Sequence, residues 1–443
     1  MKRDKPDDID NYAPRVSRRH FIVAAGGGLP LTASAAAAVM FSSSTAYAMG
    51  GWDHEADVVV VGTGAAGCAA ALYAHEAGAS VLMLEKGAGF GGTTALSGGI
   101  FYIANNAVMR AAGLEDPRED CIRYWVRTAY ADQYNPSAPF YGIAENEFRL
   151  IETLYDEGDK VLDKMIALKC LDPMQWTDWT GAAFPDYYPH LPENKAPRGR
   201  ALVCRDRKTG KAAPRGMEFI GQLKVGIDAR KIPALMRTRA TRLVLNGKRE
   251  VVGLEATTSD GKTVTVRARK SVIFGSGGFT HNRELRTQLR GPVFSGCGPV
   301  TNEGDFVQIG GSVGAKLANM TNAWWYPQIL ELALRTTATG LSGGNSSGDS
   351  MLMVNKHGDR ILNEKVRYPD RTQVHFHWDE SAKDYRNLII FMIFDQRTRD
   401  LYAQDAPIPS KDATPAWLLS APTMKARRSW AMSRRARPMV PRW

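Results

Sequence analysis

Hydrophobic and polar positions fall into a regular order from Asp57 onward. The four valines that follow Asp57 form an unbroken apolar run, which is typical of a strand buried on both faces. The alanine-rich stretch 65–77 predicts a helix, and Gly78 ends it. The apolar run Ser80–Leu84 predicts a second strand. This strand–helix–strand order predicts an α/β fold with a parallel sheet.

Three glycines stand where the first predicted strand gives way to the helix. Gly62, Gly64 and Gly67 form a GxGxxG pattern, in which the first allows a tight turn, the second allows close approach of a pyrophosphate, and the third allows helix and strand to pack. Glu85, at the tip of the second strand, is placed to accept hydrogen bonds from ribose hydroxyls. The pattern predicts a dinucleotide site; the alternative is a glycine-rich turn without a ligand.

The segment after Glu85 favours FAD over NAD. An NAD domain would normally continue into another crossover helix, whereas most of residues 90–100 are small or carry hydroxyls. Such a segment suits a loop that returns along the pyrophosphate toward an isoalloxazine ring. We therefore expect FAD as the cofactor.

The middle of the chain predicts a β-meander. Residues 241–256 and 257–268 are β-type runs interrupted by Asn246-Gly247 and Asp260-Gly261, and both dipeptides are typical of type I′ hairpin turns. The apolar run Ser271–Phe274 follows and predicts a return to the nucleotide-binding sheet.

The composition excludes several classes of protein. A length of 443 residues suggests two or three domains, and 44% hydrophobic with 23% charged residues excludes a disordered or fibrous chain. The five cysteines are scattered without a CxxC pair, which excludes a disulfide scaffold and a zinc ribbon. His375 and His377 could supply two metal ligands, but the sequence offers no third ligand to go with them, so no metal site is predicted.

The net charge of +11 is concentrated at the chain ends. Residues 424–443 hold seven Lys or Arg and no acid, whereas residues 49–423 are close to neutral. A nucleic-acid-binding domain normally carries its basic surface on the folded body, so no nucleic-acid partner is expected.

The N-terminal segment predicts an export signal. Arg18 and Arg19 form a twin-arginine pattern, an uncharged stretch follows, and Ala46-Tyr47-Ala48 resembles a cleavage site. We expect residues 1–48 to engage the twin-arginine export machinery and to direct the protein to the periplasm or cell envelope. The alternative, an uncleaved membrane anchor, is disfavoured by three glycines and a proline within the stretch.

The loop sequence EKGAGFGGTTALSGG (85–99) resembles the fumarate reductase/3-ketosteroid dehydrogenase superfamily of flavoproteins. Covalent members bond the flavin through a histidine in this loop. No histidine occurs between Gly87 and Asn106, so non-covalent FAD is expected. The stretch 301–305 resembles the family's TGDG element, which implies that Asp305 lies against the flavin; the alternative is that Asp305 caps the next helix.

The pattern and the resemblance together predict one set of cofactor-binding residues. These are Gly62, Gly64, Ala65, Ala66, Gly67, Glu85, Lys86, Gly91, Gly92, Thr93, Thr94, Ser97, Gly98, Gly99, Thr241, Gly277 and Asp305.

Within the superfamily, the chain is most similar to the 3-ketosteroid Δ1-dehydrogenases. The similar segments include FPDYYP (184–189), AWWYP (323–327) and GDRILNEKVRY (358–368). The resemblance implies that Tyr368 removes a proton next to the ketone and that Tyr187 assists it, while hydride leaves for flavin N5. A tyrosinate suits this role if a neighbouring hydroxyl lowers its pKa. Either tyrosine could instead be a packing residue with a satisfied hydroxyl.

The substrate implied is a flat, hydrophobic, steroid-like ketone, and the electron acceptor is not identified. We expect five aromatic residues to form an apolar wall for it, with plain core residues as the alternative: Phe101, Tyr102, Trp324, Trp325 and Tyr326.

The alternative enzyme class is a fumarate- or urocanate-reductase-like flavoprotein. That branch needs an arginine where Tyr368 stands and a histidine where Tyr326 stands. Arg367 and Arg371 could nevertheless bind a dicarboxylate.

The resemblance implies a Rossmann-like FAD-binding domain with a β-meander (49–279) and a second α+β substrate domain (280–421). The similarity stops near Ala421, and residues 422–443 form a basic tail unlike the family. We expect a shifted reading frame or a truncated gene there, with a genuine basic tail as the alternative. The family's ketone-binding tyrosine and amide have no counterpart, so an inactive remnant is a further alternative.

Overall fold

The computed structural model describes residues 51–402 and residue 408, apart from residues 179, 295, 337 and 339–349. The predicted export segment 1–48 and the basic tail 422–443 lie outside the described residues. The domain boundary at residue 279 stays a prediction.

The described part of the chain contains both α-helices and β-strands. The α-helices are α1 (Ala65–Glu76), α2 (Gly92–Leu96), α3 (Ala107–Ala111), α4 (Arg118–Ala129), α5 (Glu145–Ala167), α6 (Gly216–Ala229), α7 (Asp305–Ser312), α8 (Leu330–Ala333), α9 (Tyr368–Thr372) and α10 (Gln396–Tyr402). The strands are β1 (His54–Val61), β2 (Val81–Glu85), β3 (Phe101–Tyr102), β4 (Pro173–Gln175), β5 (Ala201–Arg205), β6 (Ala212–Ala213), β7 (Ala234–Met236), β8 (Thr238–Leu245), β9 (Val251–Thr258), β10 (Thr263–Phe274), β11 (Met351–Asn355), β12 (Trp378–Asp379), β13 (Asp384–Tyr385) and β14 (Ile390–Phe394).

The main sheet joins a parallel half to an antiparallel meander. Its strand order is β7-β2-β1-β10-β9-β8. β1 pairs in parallel with β2 and β10, and β2 pairs in parallel with β7. β10, β9 and β8 pair antiparallel. The predicted α/β fold with its meander is therefore confirmed.

The valine run is buried on both faces of the sheet, as predicted. Val58 and Val60 belong to one apolar cluster, together with α1 and α6 residues, whereas Val59 and Val61 belong to a second cluster with the meander strands. Because side chains alternate along a strand, consecutive valines supply both cores at once.

Both predicted hairpins form, but the type I′ turn prediction was wrong. A type I′ turn needs positive φ at both central residues, and the described positive-φ residues include Arg249 (φ 64°) and Gly261 (φ 84°) but neither Asn246 nor Asp260. The connections contain four or five residues, and the Asn246 side chain accepts from the backbone N–H groups of Lys248 and Glu250. β10 also continues unbroken through residues predicted as a separate strand.

Smaller sheets follow the nucleotide-binding unit. β5 pairs with β3, β4 and β6, and an aromatic-rich cluster beside it is formed by α4 and α5. β11 pairs with β14, and β12 pairs with β13. No helix in the described ranges combines the length and apolar composition needed to cross a bilayer.

Truncation of Met83, a core residue on β2, tests the assignment of buried and exposed positions. Met83 is fully buried, whereas Met217 on α6 is 66% exposed. Met83→Ala is expected to lower the free energy of unfolding by about 2–5 kcal/mol, because a buried cavity remains. Met217→Ala, the matched control, should change it by less than about 0.5 kcal/mol. Denaturant unfolding measures both, and equal effects would contradict the assigned burial.

Candidate functional site

The first and third glycine roles predicted from the sequence appear at the end of β1. Gly62 has φ +103°, and a Cβ there would lie 2.5 Å from the Gly275 carbonyl oxygen. A Cβ on Gly67 would overlap the Gly62 carbonyl oxygen. The absence of side chains therefore lets β1, α1 and the end of β10 meet at backbone distance.

Gly64 borders open space in the same turn. The nearest atom to a Cβ on Gly64 would be Thr94 Oγ1, at 3.5 Å. The Ala65 N–H donates to that Thr94 hydroxyl at 3.0 Å. The Ala66 and Gly67 N–H groups have no acceptor among the described residues. Free amides at a helix N-terminus beside open space fit the diphosphate of a dinucleotide.

Glu85 is held in place by Thr63, a residue that the sequence analysis did not single out. The Thr63 hydroxyl donates to Glu85 Oε2 at 2.7 Å, and the Thr63 N–H donates to the same oxygen at 3.1 Å. The Gly87 N–H donates to Oε1 at 2.7 Å, and the Gly91 N–H donates to the Thr63 hydroxyl at 3.0 Å. Thr63 thus ties the glycine turn to the ribose acid and the next loop.

Part of the predicted flavin loop is helical, because Gly92–Leu96 forms α2. Gly91 (φ 111°) and Gly99 (φ 68°) flank it in conformations that favour glycine. The Ser97 hydroxyl donates to the Thr94 carbonyl at 2.8 Å and accepts from the Gly99 N–H at 3.0 Å, so it fixes the end of the helix. Gly92 and Gly98 lie in the same segment.

Asn302 is a second polar residue that sequence reasoning missed. Its Nδ2 donates to Thr93 Oγ1 at 3.4 Å, and a Cβ on Gly277 would lie 3.1 Å from its Oδ1. That Oδ1 is buried and has no hydrogen-bond partner among the residues that the structure describes. An orphaned buried acceptor is costly unless a ligand satisfies it, which fits a polar cofactor between the Thr93 loop and the Gly277 turn.

Asp305 is an ion-pair partner rather than a helix cap. It begins α7, and its side chain makes no cap hydrogen bond, so the capping alternative was wrong. Its carboxylate lies 2.9 Å from Lys86 Nζ and 2.6 Å from an Arg239 nitrogen. Glu303 shares Lys86 at 2.9 Å. The contact of Asp305 with flavin stays a prediction.

Thr241 lies on β8 in the meander. Its hydroxyl donates to the Glu255 carbonyl at 3.2 Å, and no described contact joins it to the glycine turn or the α2 segment. The structure does not bring Thr241 together with the other predicted cofactor residues.

The two predicted catalytic tyrosines lie together although 181 positions separate them. The rings of Tyr187 and Tyr368 pack edge to face with centroids 6.4 Å apart. Burial, with a further contribution from a hydrogen bond with Tyr368, raises the pKa of Tyr187. The raised pKa means that Tyr187 keeps its proton beside Tyr368.

The indole of Trp324 faces the Tyr368 oxygen. Trp324 Nε1 donates to the Tyr368 hydroxyl at 3.0 Å, and the Tyr326 ring packs against Tyr368 at 4.8 Å. Trp324 is 73% exposed, so the tyrosine pair lies at an accessible surface. A donor on the phenolic oxygen can stabilise negative charge there.

The apolar-wall prediction was only partly correct. Trp324 and Tyr326 contact Tyr368, but Trp325 is buried, donates to Asn322 and packs on Phe376. On β3, Phe101 stacks on Phe219 and the Tyr102 hydroxyl donates to Asp186 at 2.8 Å. The sequence alone did not show which of these aromatic side chains pack against other parts of the chain.

A buried ion cluster positions the loop that carries Tyr187. Arg200 is fully buried and donates two hydrogen bonds to Asp116, at 2.6 and 2.8 Å, and another to Asp186. The Tyr124 hydroxyl donates to the Tyr187 carbonyl. Burial raises the pKa of Asp186, although Arg200 opposes this effect. The cluster ties the residue next to Tyr187 to β5.

Gly64→Ala tests the open space at the glycine turn. The Gly64 backbone (φ −66°) accepts alanine, and the new Cβ meets nothing closer than 3.5 Å in the chain. We expect unchanged thermal stability but at least tenfold weaker FAD binding, measured by fluorescence titration, because the Cβ occupies ligand space.

Gly67→Ala is the comparison variant for that test, since its Cβ collides with the chain itself. It should destabilise the fold as well as weaken FAD binding. Wild-type FAD affinity in Gly64→Ala would contradict the site.

Arg200→Met tests the buried cluster. Removing the cation leaves two buried carboxylates unpaired, which costs about 3–5 kcal/mol of unfolding free energy. Arg198→Met is the matched control, because Arg198 is exposed and pairs with Asp178 at the surface, where an ion pair contributes at most about 1 kcal/mol. Similar denaturation curves for the two variants would refute the structural role of Arg200.

Comparisons with known proteins agree with this geometry. The chain is 28% identical over 439 residues to a 3-oxosteroid 1-dehydrogenase of Mycolicibacterium smegmatis, covering 84% of this chain and 73% of that one. It is 28% identical over 418 residues to a 4-oxocyclohexanecarboxylate 2-dehydrogenase of Sinomonas cyclohexanicum, covering 83% and 69%.

A solved structure supports the fold. The 3-ketosteroid Δ1-dehydrogenase of Sterolibacterium denitrificans, in complex with 1,4-androstadiene-3,17-dione, superposes with a TM-score of 0.67 at 24% identity, covering 82% of this chain and 73% of that one. The model of the FAD binding domain family matches residues 57–402. The chain therefore belongs to the FAD binding domain family and is an FAD-dependent oxidoreductase of the fumarate reductase/3-ketosteroid dehydrogenase superfamily.

Proposed function

We propose that this flavoprotein introduces a double bond next to the carbonyl of a ring ketone, as its 3-ketosteroid dehydrogenase relatives do. The observation that carries the proposal is the contact between Tyr187 and Tyr368. Two tyrosines from distant parts of the chain pack edge to face, and Trp324 donates a hydrogen bond to the Tyr368 hydroxyl. The relatives' names support a ring ketone as the substrate class.

Tyr368 is the proton acceptor in this proposal. A proton on the carbon next to a ketone is acidic because the carbonyl can take up enolate charge. The Tyr368 oxygen takes that proton. Trp324 donates a hydrogen bond to this oxygen and stabilises its charge before the transfer, and the protonated Tyr187 packs beside it. FAD, when bound, supplies the acceptor for the hydride that leaves the neighbouring carbon.

The glycine turn and the tyrosine pair have separate tasks. The free amides of Ala66 and Gly67 and the Thr63–Glu85 contacts would hold the diphosphate and ribose of FAD. Asn302 offers an unpaired acceptor to the same cofactor. The tyrosines, the exposed Trp324 and Tyr326 would receive the substrate.

Reduction of fumarate-like acids is less well supported by this geometry. By resemblance, that chemistry requires an arginine proton donor where Tyr368 stands. Arg371 is buried, and one of its nitrogens donates to the Glu364 carbonyl at 2.6 Å, so Arg371 is engaged in holding the loop. We therefore favour ketone oxidation.

We also propose that residues 1–48 direct export by the twin-arginine route. Support comes from the sequence pattern at Arg18 and Arg19 alone.

Tyr368→Phe tests the proposed base. With a 3-ketosteroid and an artificial electron-accepting dye, kcat should fall about 10²- to 10⁴-fold because the proton acceptor is lost. FAD content should stay at the wild-type level, since Tyr368 does not contact the glycine turn.

Tyr385→Phe is the matched control, because Tyr385 packs against Trp378 in the β12–β13 hairpin. Its kcat should equal that of the wild type. Wild-type turnover by Tyr368→Phe, or fumarate reduction by the same preparation in place of ketone oxidation, would refute the proposal.

A further inference from the structure

Arg367 presents a guanidinium group beside the tyrosine pair. It immediately precedes Tyr368 and flanks the start of α9. Its guanidinium carbon lies 5.3 Å from the centre of the Tyr187 ring and 5.6 Å from the centre of the Phe184 ring. Stacking uses the flat faces of a guanidinium and leaves its in-plane N–H donors available.

No carboxylate within the described part of the chain forms an ion pair with Arg367. Two acids lie three positions away in sequence: Asp370 accepts a hydrogen bond from the Tyr188 hydroxyl at 2.6 Å, and Glu364 pairs with Arg360. Other arginines nearby have acidic partners: Arg200 pairs with Asp116 and Asp186, and Arg360 pairs with Glu364. Arg367 is therefore a half-buried cation that two aromatic rings hold in place, and no carboxylate among the described residues neutralises its charge.

Arg367 lies beside the tyrosine pair that is proposed to receive the substrate, so its charge would act on the substrate rather than on the cofactor. The Tyr187 ring contacts both Arg367 and Tyr368, so the guanidinium lies one ring away from the proposed base. A carboxylate suits such a group, because two parallel N–H···O bonds match the spacing of the carboxylate oxygens.

We propose that Arg367 binds a carboxylate carried by the substrate, which makes the substrate an anionic ring ketone rather than a neutral steroid. This inference rests on the proposed ketone oxidation and specifies its substrate class. Arg367 is the residue that determines specificity: it anchors the acid at one end of the ring system while the ketone faces the tyrosine pair.

The test compares two ketones on the FAD-loaded full chain. 4-Oxocyclohexanecarboxylate and its methyl ester differ by one negative charge. The wild-type kcat/KM should favour the acid roughly 10- to 100-fold, the range expected for hydrogen bonds to a charged group. Arg367→Met should bring this ratio close to one. Arg367→Lys should retain part of it, because lysine keeps the charge but lacks the planar fork.

A matched control and a second readout accompany the kinetics. Arg249→Met, at an exposed arginine in the β8–β9 hairpin, should keep the wild-type ratio. Calorimetric titration with cyclohexanecarboxylate, which has no ketone and cannot react, should show binding that weakens at least tenfold in Arg367→Met.

The outcomes separate this inference from the proposed function. Oxidation of both ketones with the same ratio in wild type and Arg367→Met would overturn the anion site and leave ketone oxidation standing. An equal loss of activity on acid and ester in Arg367→Met would also overturn it, because Arg367 would then support the tyrosine pair. Arg367-dependent binding of cyclohexanecarboxylate without oxidation of either ketone would refute the proposed function and support the anion site.

Discussion

The structure depends on the backbone contact between the end of β1 and the start of α1. Gly62 and Gly67 approach so closely that a single methyl group on either would collide with a carbonyl oxygen. This contact aims the first amides of α1 at open space beside Gly64, and Thr63 joins the same turn to Glu85 and to the following loop. One close approach therefore fixes the positions of the first α1 amides, of Glu85 and of the loop that follows it.

The surroundings of the tyrosine pair are organised differently, by polar contacts that join distant segments. Arg200 holds Asp186, the Tyr124 hydroxyl holds the Tyr187 carbonyl, and Tyr188 holds Asp370. Together they hold the loop at residues 184–188 against α9, which begins with Tyr368. The tyrosine pair is thus positioned by buried charge, which tolerates little displacement because an unpaired buried charge is costly.

Local sequence patterns predicted the nucleotide-binding half well. The valine run, the GxGxxG spacing and the meander are local signals, and each describes an interaction between neighbouring segments. Thr63, Asn302 and Arg200 were missed because their roles arise from contacts across 22 to 209 positions. The hairpins were predicted but their turn type was not, since the Asn246 side chain stabilises a longer loop. Tyr187 and Tyr368 came from family resemblance, and only the structure shows Arg367 beside them.

The central claim is that the tyrosine pair serves oxidation of a ketone. The most direct measurement is anaerobic stopped-flow mixing of the oxidised, FAD-loaded protein with a saturated ring ketone, followed by flavin absorbance. The account predicts loss of the oxidised flavin spectrum upon mixing with the ketone and no reoxidation of the dye-reduced protein by fumarate. An unchanged spectrum with every ring ketone, together with rapid reoxidation by fumarate, would contradict it.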